Sequence, residues 1–142
     1  MTTAADTELA SSLRLAVMRL ARRMRAERAD TALTLSQLSA LSVLERLGAM
    51  TPRELAAAER VAPSSLTRLV ASLEEQGLLT RTPHASDGRQ VLLAASPAGV
   101  ALVREDRRRR EVWLARQLDR LAPEDVVVLQ RAAGVLDRLA GS

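Results

Sequence analysis

The stretch PSSLTRLVASLEEQGLL, residues 63–79, predicts a helix with two different faces. It opens with a proline, which fits the first helical position, and Gly77 ends it. Apolar residues recur at steps of three and four, as in a helix that buries one side; they are Leu66, Leu69, Val70 and Leu73. The opposite side carries short side chains and one arginine, namely Ser64, Arg68, Ala71, Ser72 and Glu75, with Ser65 and Thr67 on its shoulders. The sequence therefore predicts a small, flat, polar outward face.

A second short helix precedes this one. It starts in TPRE, residues 51–54, with Thr51 as the N-cap, a proline at the first helical position and Glu54 spaced to bond back to the cap amide. The next proline in the chain disfavours helical geometry at Ala62, so the helix closes near Arg60. The pattern predicts two short helices joined by a tight corner.

A hairpin is predicted after the two helices. Short apolar stretches at residues 78–82 and 90–95 flank a cluster of proline, serine and Asp-Gly, which is turn chemistry. Helix then restarts at Ser96, a capping residue followed by proline. Helix, turn, helix and a two-stranded wing follow one another in the order of a winged helix-turn-helix.

Further helices are predicted on both sides of this motif. Residues 8–28 place apolar side chains at helical spacing with arginines between them. The stretch TLSQLSALSVLERLG, residues 34–48, predicts a short buried helix with Ser36 as its cap and a glycine past its end. After the hairpin the chain is predicted to stay helical to about residue 121, and a final helix covers residues 124–139. The expected fold class is mainly α with a small β-wing.

We expect a single domain over residues 1–142. Its winged helix-turn-helix lobe covers residues 34–100, and the segments 6–30 and 101–142 form dimerisation helices. These terminal helices are long and apolar on one side, and a minimal winged helix does not need them, so their apolar stripes require another surface. A second copy of the chain is the economical choice. A twofold pair would present two recognition helices roughly 34 Å apart to a pseudo-palindromic duplex.

The choice of charged and reactive residues narrows the function. All 21 basic residues are arginine and the formal net charge is +4, which suits phosphates and base edges, although a codon bias toward arginine would give the same count. The chain has no cysteine, one histidine and neither Phe nor Tyr. These absences disfavour thiol chemistry, most metal sites and base stacking on single strands. We expect no cofactor and no metal.

Catalysis and membrane insertion are also disfavoured. The one histidine, His84, lies in a loop without an apparent triad, and no glycine-rich phosphate loop is present. No apolar run approaches the ~20 residues needed to cross a bilayer, and the first ten residues show no basic, hydrophobic leader. The prediction is a cytoplasmic protein that is not an enzyme and has no membrane partner.

The polar face of the 63–79 helix is suited to a DNA groove. The first helix of a helix-turn-helix braces the second, and bulky side chains on the second would hold its backbone away from base edges. Arg68 can read a base or clamp a phosphate, and the hydroxyls of Ser64, Ser65 and Thr67 can donate to phosphates. A solvated face of an ordinary surface helix is the alternative. The capped helix before it and the hairpin after it favour nucleic-acid binding.

Another basic stretch is REDRRRREVWLARQLDRL, residues 104–121. Acidic residues interleave its arginines, so a solvated helical face is favoured over a second nucleic-acid contact. Its apolar residues, Val112, Trp113, Leu114, Leu118 and Leu121, can supply a buried side with Val103. Trp113 is expected in a core or an interface.

Two motifs together resemble the multiple antibiotic resistance regulator (MarR) family of winged helix-turn-helix transcription factors. ELAAAERVAPSSLTRLVASLEEQGLL, residues 54–79, is similar to the family's helix-turn-helix core, and DGRQVLLAASPAG, residues 87–99, to its wing and exit. The resemblance covers about residues 36–100 by motif. The chain departs from the pattern at Arg60, where glycine is common, and at Ala62, where a capping Ser or Thr is usual.

The resemblance implies which residues meet DNA. The recognition helix would hold Pro63, Ser64, Ser65, Thr67 and Arg68, and the wing would hold Asp87 and Arg89. Arg89 would enter the adjacent minor groove, and Asp87 would fix the wing by pairing with an arginine or a backbone amide. An ordinary surface ion pair is the alternative for these two wing residues. His84 is expected to be solvated, with a phosphate contact as its alternative.

The predicted function is a homodimeric, sequence-specific, double-stranded DNA-binding transcriptional regulator. The resemblance implies a repressor, and in many relatives a small, often aromatic acid or phenol binds between the lobes and shifts the spacing of the reading heads. Because cysteine is absent, thiol oxidation is excluded as a signal. The alternative is a winged-helix protein-interaction module without DNA binding, whose partner affinity would hardly respond to salt.

Overall fold

The computed structural model describes residues 1–28 and 33–141. Within these ranges there are six helices and two strands: α1 (Ala4–Ala26), α2 (Leu35–Leu47), α3 (Pro52–Glu59), α4 (Pro63–Glu75), β1 (Leu79–Pro83), β2 (Val91–Ala95), α5 (Pro97–Leu118) and α6 (Pro123–Gly141). The fold is mainly α with a small antiparallel sheet, so the predicted fold class is confirmed. Helix α1 begins at Ala4 rather than near residue 8, and α5 ends at Leu118 rather than near residue 121.

The chain separates into two compact units. One contains residues 1–28 and the chain from residue 108 onward, and the other ends at residue 107. The predicted single domain, with a winged lobe at 34–100 and dimerisation helices at 6–30 and 101–142, stays a prediction. Residues 29, 30 and 142 of those segments lie outside the described residues.

Side-chain caps define where the short helices begin. Thr34, and not Ser36, caps α2: its hydroxyl accepts from the Gln37 amide at 3.2 Å, and the Gln37 side chain accepts from the Thr34 amide at 2.9 Å. The Ser36 prediction was wrong because the helix starts at Leu35, which places Ser36 inside the first turn. Gly48 follows α2 with φ 85°, as predicted for a glycine past a helix end.

The start of α3 follows the prediction except in one bond. The Thr51 hydroxyl accepts from the Glu54 amide at 3.2 Å, and a proline occupies the first turn. The Glu54 carboxylate accepts from the Thr51 hydroxyl at 3.1 Å rather than from the Thr51 amide. The Thr51 hydroxyl is therefore both an acceptor and a donor in this cap.

The core of the unit ending at residue 107 is built from leucine. Its most deeply buried large apolar side chains come from α2, α3, α4, β2 and the first half of α5; they are Leu41, Leu55, Leu73, Leu93 and Val103. Helix α4 buries Leu66, Val70 and Leu73, and Leu69 packs against the core while half-buried. The apolar stripe predicted for this helix is therefore confirmed, and its burial orients the opposite face outward.

The wing is a two-stranded antiparallel sheet. Leu79 pairs with Ala95 and Pro83 pairs with Val91 across it. Met50, between α2 and α3, exchanges two backbone hydrogen bonds with Leu93 of β2, at 3.0 and 2.8 Å. This bridge fixes the base of the wing to the segment that leads into α3.

The start of α5 is locked against the beginning of the wing. The Ser96 hydroxyl accepts from the Gly99 amide at 3.1 Å and donates to the Gly77 carbonyl at 2.6 Å, so the predicted Ser96 cap is confirmed. Gly99 packs so tightly that a Cβ added there would lie 2.1 Å from the Leu78 carbonyl oxygen. Only glycine permits this approach without a shift of backbone.

An ion-pair cluster ties α2 to α5. Glu45 accepts from Arg107 at 2.8 Å and from Arg104 at 3.5 Å, and its side chain is only 10% exposed. The Arg107 hydrogen bond, with a smaller contribution from Arg104, holds the pKa of the Glu45 carboxyl below its usual value. Two arginines of the 104–121 run therefore form ion pairs with a residue of α2.

The unit with the chain termini exposes its apolar residues. No residue of α1 or α6 is buried, and Leu9, Val128 and Leu139 are 65%, 61% and 61% exposed. Val112 and Leu121, predicted to face a core, are also exposed. Trp113 is half-buried, and the Arg23 guanidinium lies 5.5 Å from its ring centroid. None of the helices in residues 1–28 and 33–141 is long and apolar enough to cross a membrane.

Candidate nucleic-acid interface

The corner between α3 and α4 has a left-handed residue at its centre. Arg60 closes α3 with φ 54° and ψ 45°. The Val61 amide then donates to the Ala56 carbonyl at 3.1 Å, which satisfies an acceptor at the helix end. An arginine thus occupies a left-handed position that glycine adopts more easily.

Helix α4 presents the predicted polar residues outward. Pro63 occupies its first turn, and all five predicted recognition residues are exposed, namely Pro63, Ser64, Ser65, Thr67 and Arg68. The Thr67 hydroxyl donates to the Pro63 carbonyl at 2.9 Å, so its proton is already used, and the predicted donation from Thr67 to a phosphate is not available in this rotamer. Ser64 and Ser65 are short exposed hydroxyls. Ala62 gives no side-chain cap, as its departure from the usual Ser or Thr predicted. The first-turn amides of α4 therefore meet no capping oxygen from Ala62.

Ser72 differs from its predicted position on the outward face. It is half-buried, and its hydroxyl accepts from Gln37 of α2 at 2.8 Å and from Gln76 at 3.2 Å. The helical wheel placed Ser72 correctly relative to the stripe, but the wheel contains no information about α2 beside it. The outward face of α4 is consequently narrower at its C-terminal end than the sequence indicated.

The wing loop brings Asp87 and Arg89 together through the backbone. The Asp87 carboxylate accepts from the Arg89 amide at 3.0 Å, and the Gln90 amide donates to the Asp87 carbonyl at 3.0 Å. Asp87 thus pairs with a backbone amide, which was one of the two predicted modes. The Arg89 side chain is exposed. The turn therefore fixes the backbone of Arg89, from which the exposed side chain extends.

His84 does not behave as a solvated loop residue, so that expectation was wrong. Its side chain is half-buried, and its Nδ1 accepts from the backbone amides of Ser86 and Asp87, each at 3.2 Å. These partners are only two and three residues away in the sequence, the spacing at which Asn and Asp side chains accept from amides in turns.

Three further arginines, which were not predicted as site residues, lie around α3 and α4. A cavity of about 630 Å³ lies along these helices and β1, with Arg53, Arg60 and Arg81 among its lining residues. Arg81 is held by Glu74 at 2.6 Å, and this hydrogen bond raises the pKa of the Arg81 guanidinium. Arg53 lies in the first turn of α3, whereas Arg60 is the left-handed residue after its end, so no helical spacing in the sequence links the two.

A smaller cavity lies on the other side of α4. It has a volume of about 350 Å³ and is lined by Arg68 and Ser65 of α4 and by Thr34, Ser36 and Gln37 at the start of α2. Arg68 therefore shares a polar recess with the first turn of α2. In the part of the chain that the structure describes, no group of three or more His, Cys, Asp or Glu side chains could hold a metal ion.

Comparisons with known proteins agree with this geometry. The model of the MarR family matches residues 33–91. An HTH-type transcriptional regulator of Mycobacterium tuberculosis is 48% identical over 131 residues, which cover 92% of both chains. A crystal structure from Pseudomonas aeruginosa, named as a transcriptional regulator, is 38% identical with a TM-score of 0.87, and the match covers 99% of both chains.

A further solved structure bears the family name. A MarR family protein from Bacillus stearothermophilus is 27% identical, with a TM-score of 0.86, and the match covers 100% of this chain and 99% of that one. The winged helix-turn-helix and the predicted resemblance are thereby confirmed. The chain belongs to the MarR family of transcriptional regulators, which are DNA-binding proteins and not enzymes.

Proposed function

We propose that the protein is a homodimeric repressor that binds a pseudo-palindromic double-stranded operator through α4 and the wing. The exposed face of α4 carries this proposal. Its buried stripe packs on the core while Ser64, Ser65, Thr67 and Arg68 face outward. A helix held by one face with short side chains on the other can approach the base edges of a major groove.

The recognition residues divide into two roles. Arg68 is the long side chain on this face, and a guanidinium can bond bidentately to guanine O6 and N7. The hydroxyls of Ser64 and Ser65 and the uncapped first turn of α4 supply donors for phosphates, while Pro63 sets the start of the helix. We assign base reading to Arg68 and positioning on the backbone to the serines.

The wing supplies a second contact to the same operator. Arg89 lies exposed in the loop that Asp87 stabilises through the Arg89 amide. An arginine at a hairpin tip suits a narrow, A·T-rich minor groove, where the negative potential is concentrated. We propose that Arg89 enters the minor groove next to the major-groove segment read by α4.

Dimerisation through the terminal helices follows from their exposed apolar faces. Val128, Val135 and Leu139 lie on one face of α6, and Leu9, Val17 and Leu20 lie on one face of α1; all six are exposed. Such surface is costly in water and is typical of an interface. A twofold dimer would present two copies of α4 to half-sites about one helical turn apart.

An effector is the remaining part of the proposal. The cavity of about 630 Å³ beside α4 combines arginines with apolar side chains, including Val61, Leu66 and Val70. This lining suits a small organic anion, and a ligand there would contact Thr67 of the recognition helix. We propose that such an anion lowers operator affinity and thereby relieves repression. The proposed cellular location is the cytoplasm, where DNA and effector are both accessible.

Operator binding is tested by mobility shift with a duplex selected from a random pool. Arg68→Ala should weaken binding by about 1–3 kcal/mol, since it removes a base contact. Arg89→Ala should weaken it as well. Arg46→Ala, which removes one exposed arginine at the far end of α2, is the matched control for net charge. Binding that is equal in all four proteins would refute the assignment.

The protein-interaction alternative makes a different prediction about salt. DNA binding releases counterions, so operator affinity should fall steeply between low and physiological salt. A protein partner bound through apolar contacts would show little change. A flat salt dependence, together with no duplex recovered by selection, would favour the interaction module.

Repression and its release need separate measurements. A reporter placed downstream of the selected operator should be expressed less when the protein is present, and activation instead of repression would reject that part of the proposal. Calorimetry with benzoate, a small organic anion, should show binding that Arg53→Ala weakens and Arg46→Ala preserves. Benzoate should also release the operator in the mobility-shift assay.

A further inference from the structure

The imidazole of His84 organises the wing loop. The Ser86 and Asp87 amides both lie 3.2 Å from its Nδ1, and the Ser86 hydroxyl is at the same distance from that atom. Backbone amides can only donate, so Nδ1 must accept, and the neutral ring must carry its proton on Nε2. The geometry thus selects one tautomer of the one histidine in the chain.

The ring is the first of several linked contacts that end at Arg89. Nδ1 holds the Ser86 and Asp87 amides, the Asp87 carboxylate accepts from the Arg89 amide at 3.0 Å, and the Asp87 carbonyl accepts from Gln90 at 3.0 Å. The His84 amide closes the loop by donating to the Gln90 carbonyl at 3.0 Å. Each contact fixes backbone between the end of β1 and the start of β2.

We propose that His84 is a positioning residue of the wing: its unprotonated Nδ1 orders the turn from which Arg89 reaches the operator. The role rests on the proposed function, because it matters only if the wing contacts DNA. A preordered loop loses less conformational freedom on binding than a mobile one, so the acceptor raises affinity without touching the duplex. His84 acts through Arg89.

Two substitutions of similar polarity separate this role from a general need for histidine. Asparagine places its carbonyl oxygen the same number of bonds from the backbone as Nδ1, so His84→Asn keeps an acceptor for both amides. Glutamine places its carbonyl one bond farther away. We expect His84→Asn to bind the operator as the wild type does, and His84→Gln and His84→Ala to bind about tenfold more weakly, as expected for two lost hydrogen bonds.

Two further variants locate the effect. Ser86→Ala removes the hydroxyl near Nδ1 but keeps the backbone amide, so its operator affinity should equal that of the wild type. In an Arg89→Ala background, His84→Gln should cause no further loss, because the positioned side chain is already absent. An unchanged tenfold loss in that background would show that His84 does not act through Arg89.

The loop itself is observed without DNA by nuclear magnetic resonance. At about pH 8 the ring nitrogen shifts should show a proton on Nε2, and the Ser86 and Asp87 amides should exchange more slowly than in His84→Gln. A proton on Nδ1 would overturn the proposal. So would wild-type affinity in His84→Gln.

The outcomes also separate this proposal from the proposed function. If the wild-type protein binds no duplex, both the proposed function and the role of His84 are rejected. A wild-type protein that binds in a salt-dependent way while all His84 variants bind equally leaves the regulator intact and rejects only the role of His84.

Discussion

At the scale of single residues, Gly99 sets how closely α5 can begin against the wing. A Cβ at this position would lie 2.1 Å from the Leu78 carbonyl oxygen and 3.4 Å from Leu41. The first of these atoms belongs to the backbone and cannot turn aside as a flexible side chain would. The glycine is therefore required by space and not by its dihedral angles.

We expect Gly99→Ala to lower the free energy of unfolding by about 1–3 kcal/mol, because overpacking forces backbone shifts. Urea titration at a fixed protein concentration measures the change. Gly88→Ala is the control, since a Cβ at that wing position meets open space. Equal stability of the two variants would mean that the contact with Leu78 relaxes at little cost.

Arg60 carries a backbone penalty at the corner of the helix-turn-helix. Its left-handed conformation costs a residue with a Cβ roughly 1–2 kcal/mol, and glycine avoids that cost but loses more chain entropy on folding. Arg60→Gly is therefore expected to stabilise the protein by about 0.5–1 kcal/mol. Thermal and urea unfolding give the difference.

Arg60→Ala provides the comparison for Arg60→Gly. It removes the same guanidinium but keeps the Cβ, so it should not gain stability. If alanine stabilises as much as glycine, the gain comes from lost charge repulsion and not from the backbone.

Some single-residue features could be predicted from the sequence and others could not. Thr51, Pro63 and Ser96 act as expected because caps and first-turn prolines depend on neighbours within four residues. Ser72 and His84 were misplaced for different reasons. Ser72 meets α2 across 35 residues of sequence, and His84 was treated as solvated although its partners were local.

At the scale of elements, Glu45 fastens α2 to the first half of α5. The bonds from Arg107 and Arg104 lower the pKa of its carboxyl, so the folded state favours the ionised form. The stabilisation is complete above the unfolded pKa and is lost as the pH falls through the lower folded value. The relevant pH window lies below about 4.3, the ordinary value for glutamate.

Glu45→Gln should accordingly be less stable than the wild type at neutral pH, and the gap should narrow as the pH falls below about 4.3. Urea unfolding at a series of pH values tests this. Glu111→Gln, at an exposed site on α5, should stay within about 0.5 kcal/mol of the wild type at neutral pH. A gap for Glu45→Gln that does not change with pH would exclude ionisation as its cause.

The order of helices and strands along the chain was largely predictable from the sequence, but the contacts between them were not. Periodicity and prolines gave α3, α4 and the wing because each signal lies inside its own segment. The pairing of Glu45 with the 104–121 run was not visible, since nothing local links residues about sixty positions apart. The recognition residues were predictable for the same reason as α4, while the arginines around the larger cavity come from α3, from the corner after it and from β1.

At the scale of the whole molecule, the exposed faces of α1 and α6 are the largest feature that a single chain leaves unexplained. We expect sedimentation to show a dimer. Val128→Glu should raise the dissociation constant of the dimer by about a hundredfold or more. Val128 is exposed in the single chain, and the dimer would bury two copies of it, each contributing roughly 1.5 kcal/mol. Operator affinity should fall in parallel, since half-sites would then be bound separately.

Gln130→Glu is the matched control for Val128→Glu. It adds the same carboxylate on the opposite face of α6, where the residue is also exposed. It should sediment as the wild type does. A wild-type protein that is monomeric at all concentrations would reject the dimer, and two variants that dissociate equally would reject the assigned face.

The bridge between Met50 and Leu93 has an evolutionary consequence. Main-chain pairing uses only the backbone of the two positions, so the attachment of the wing can survive exchange of either buried side chain for another apolar one of similar size. The loop at residues 84–90 can then change as a unit and alter the proposed minor-groove contact, while the helices beneath it keep their shape. Grafting that loop between relatives should therefore change the minor-groove contact while α4 keeps its own base contacts.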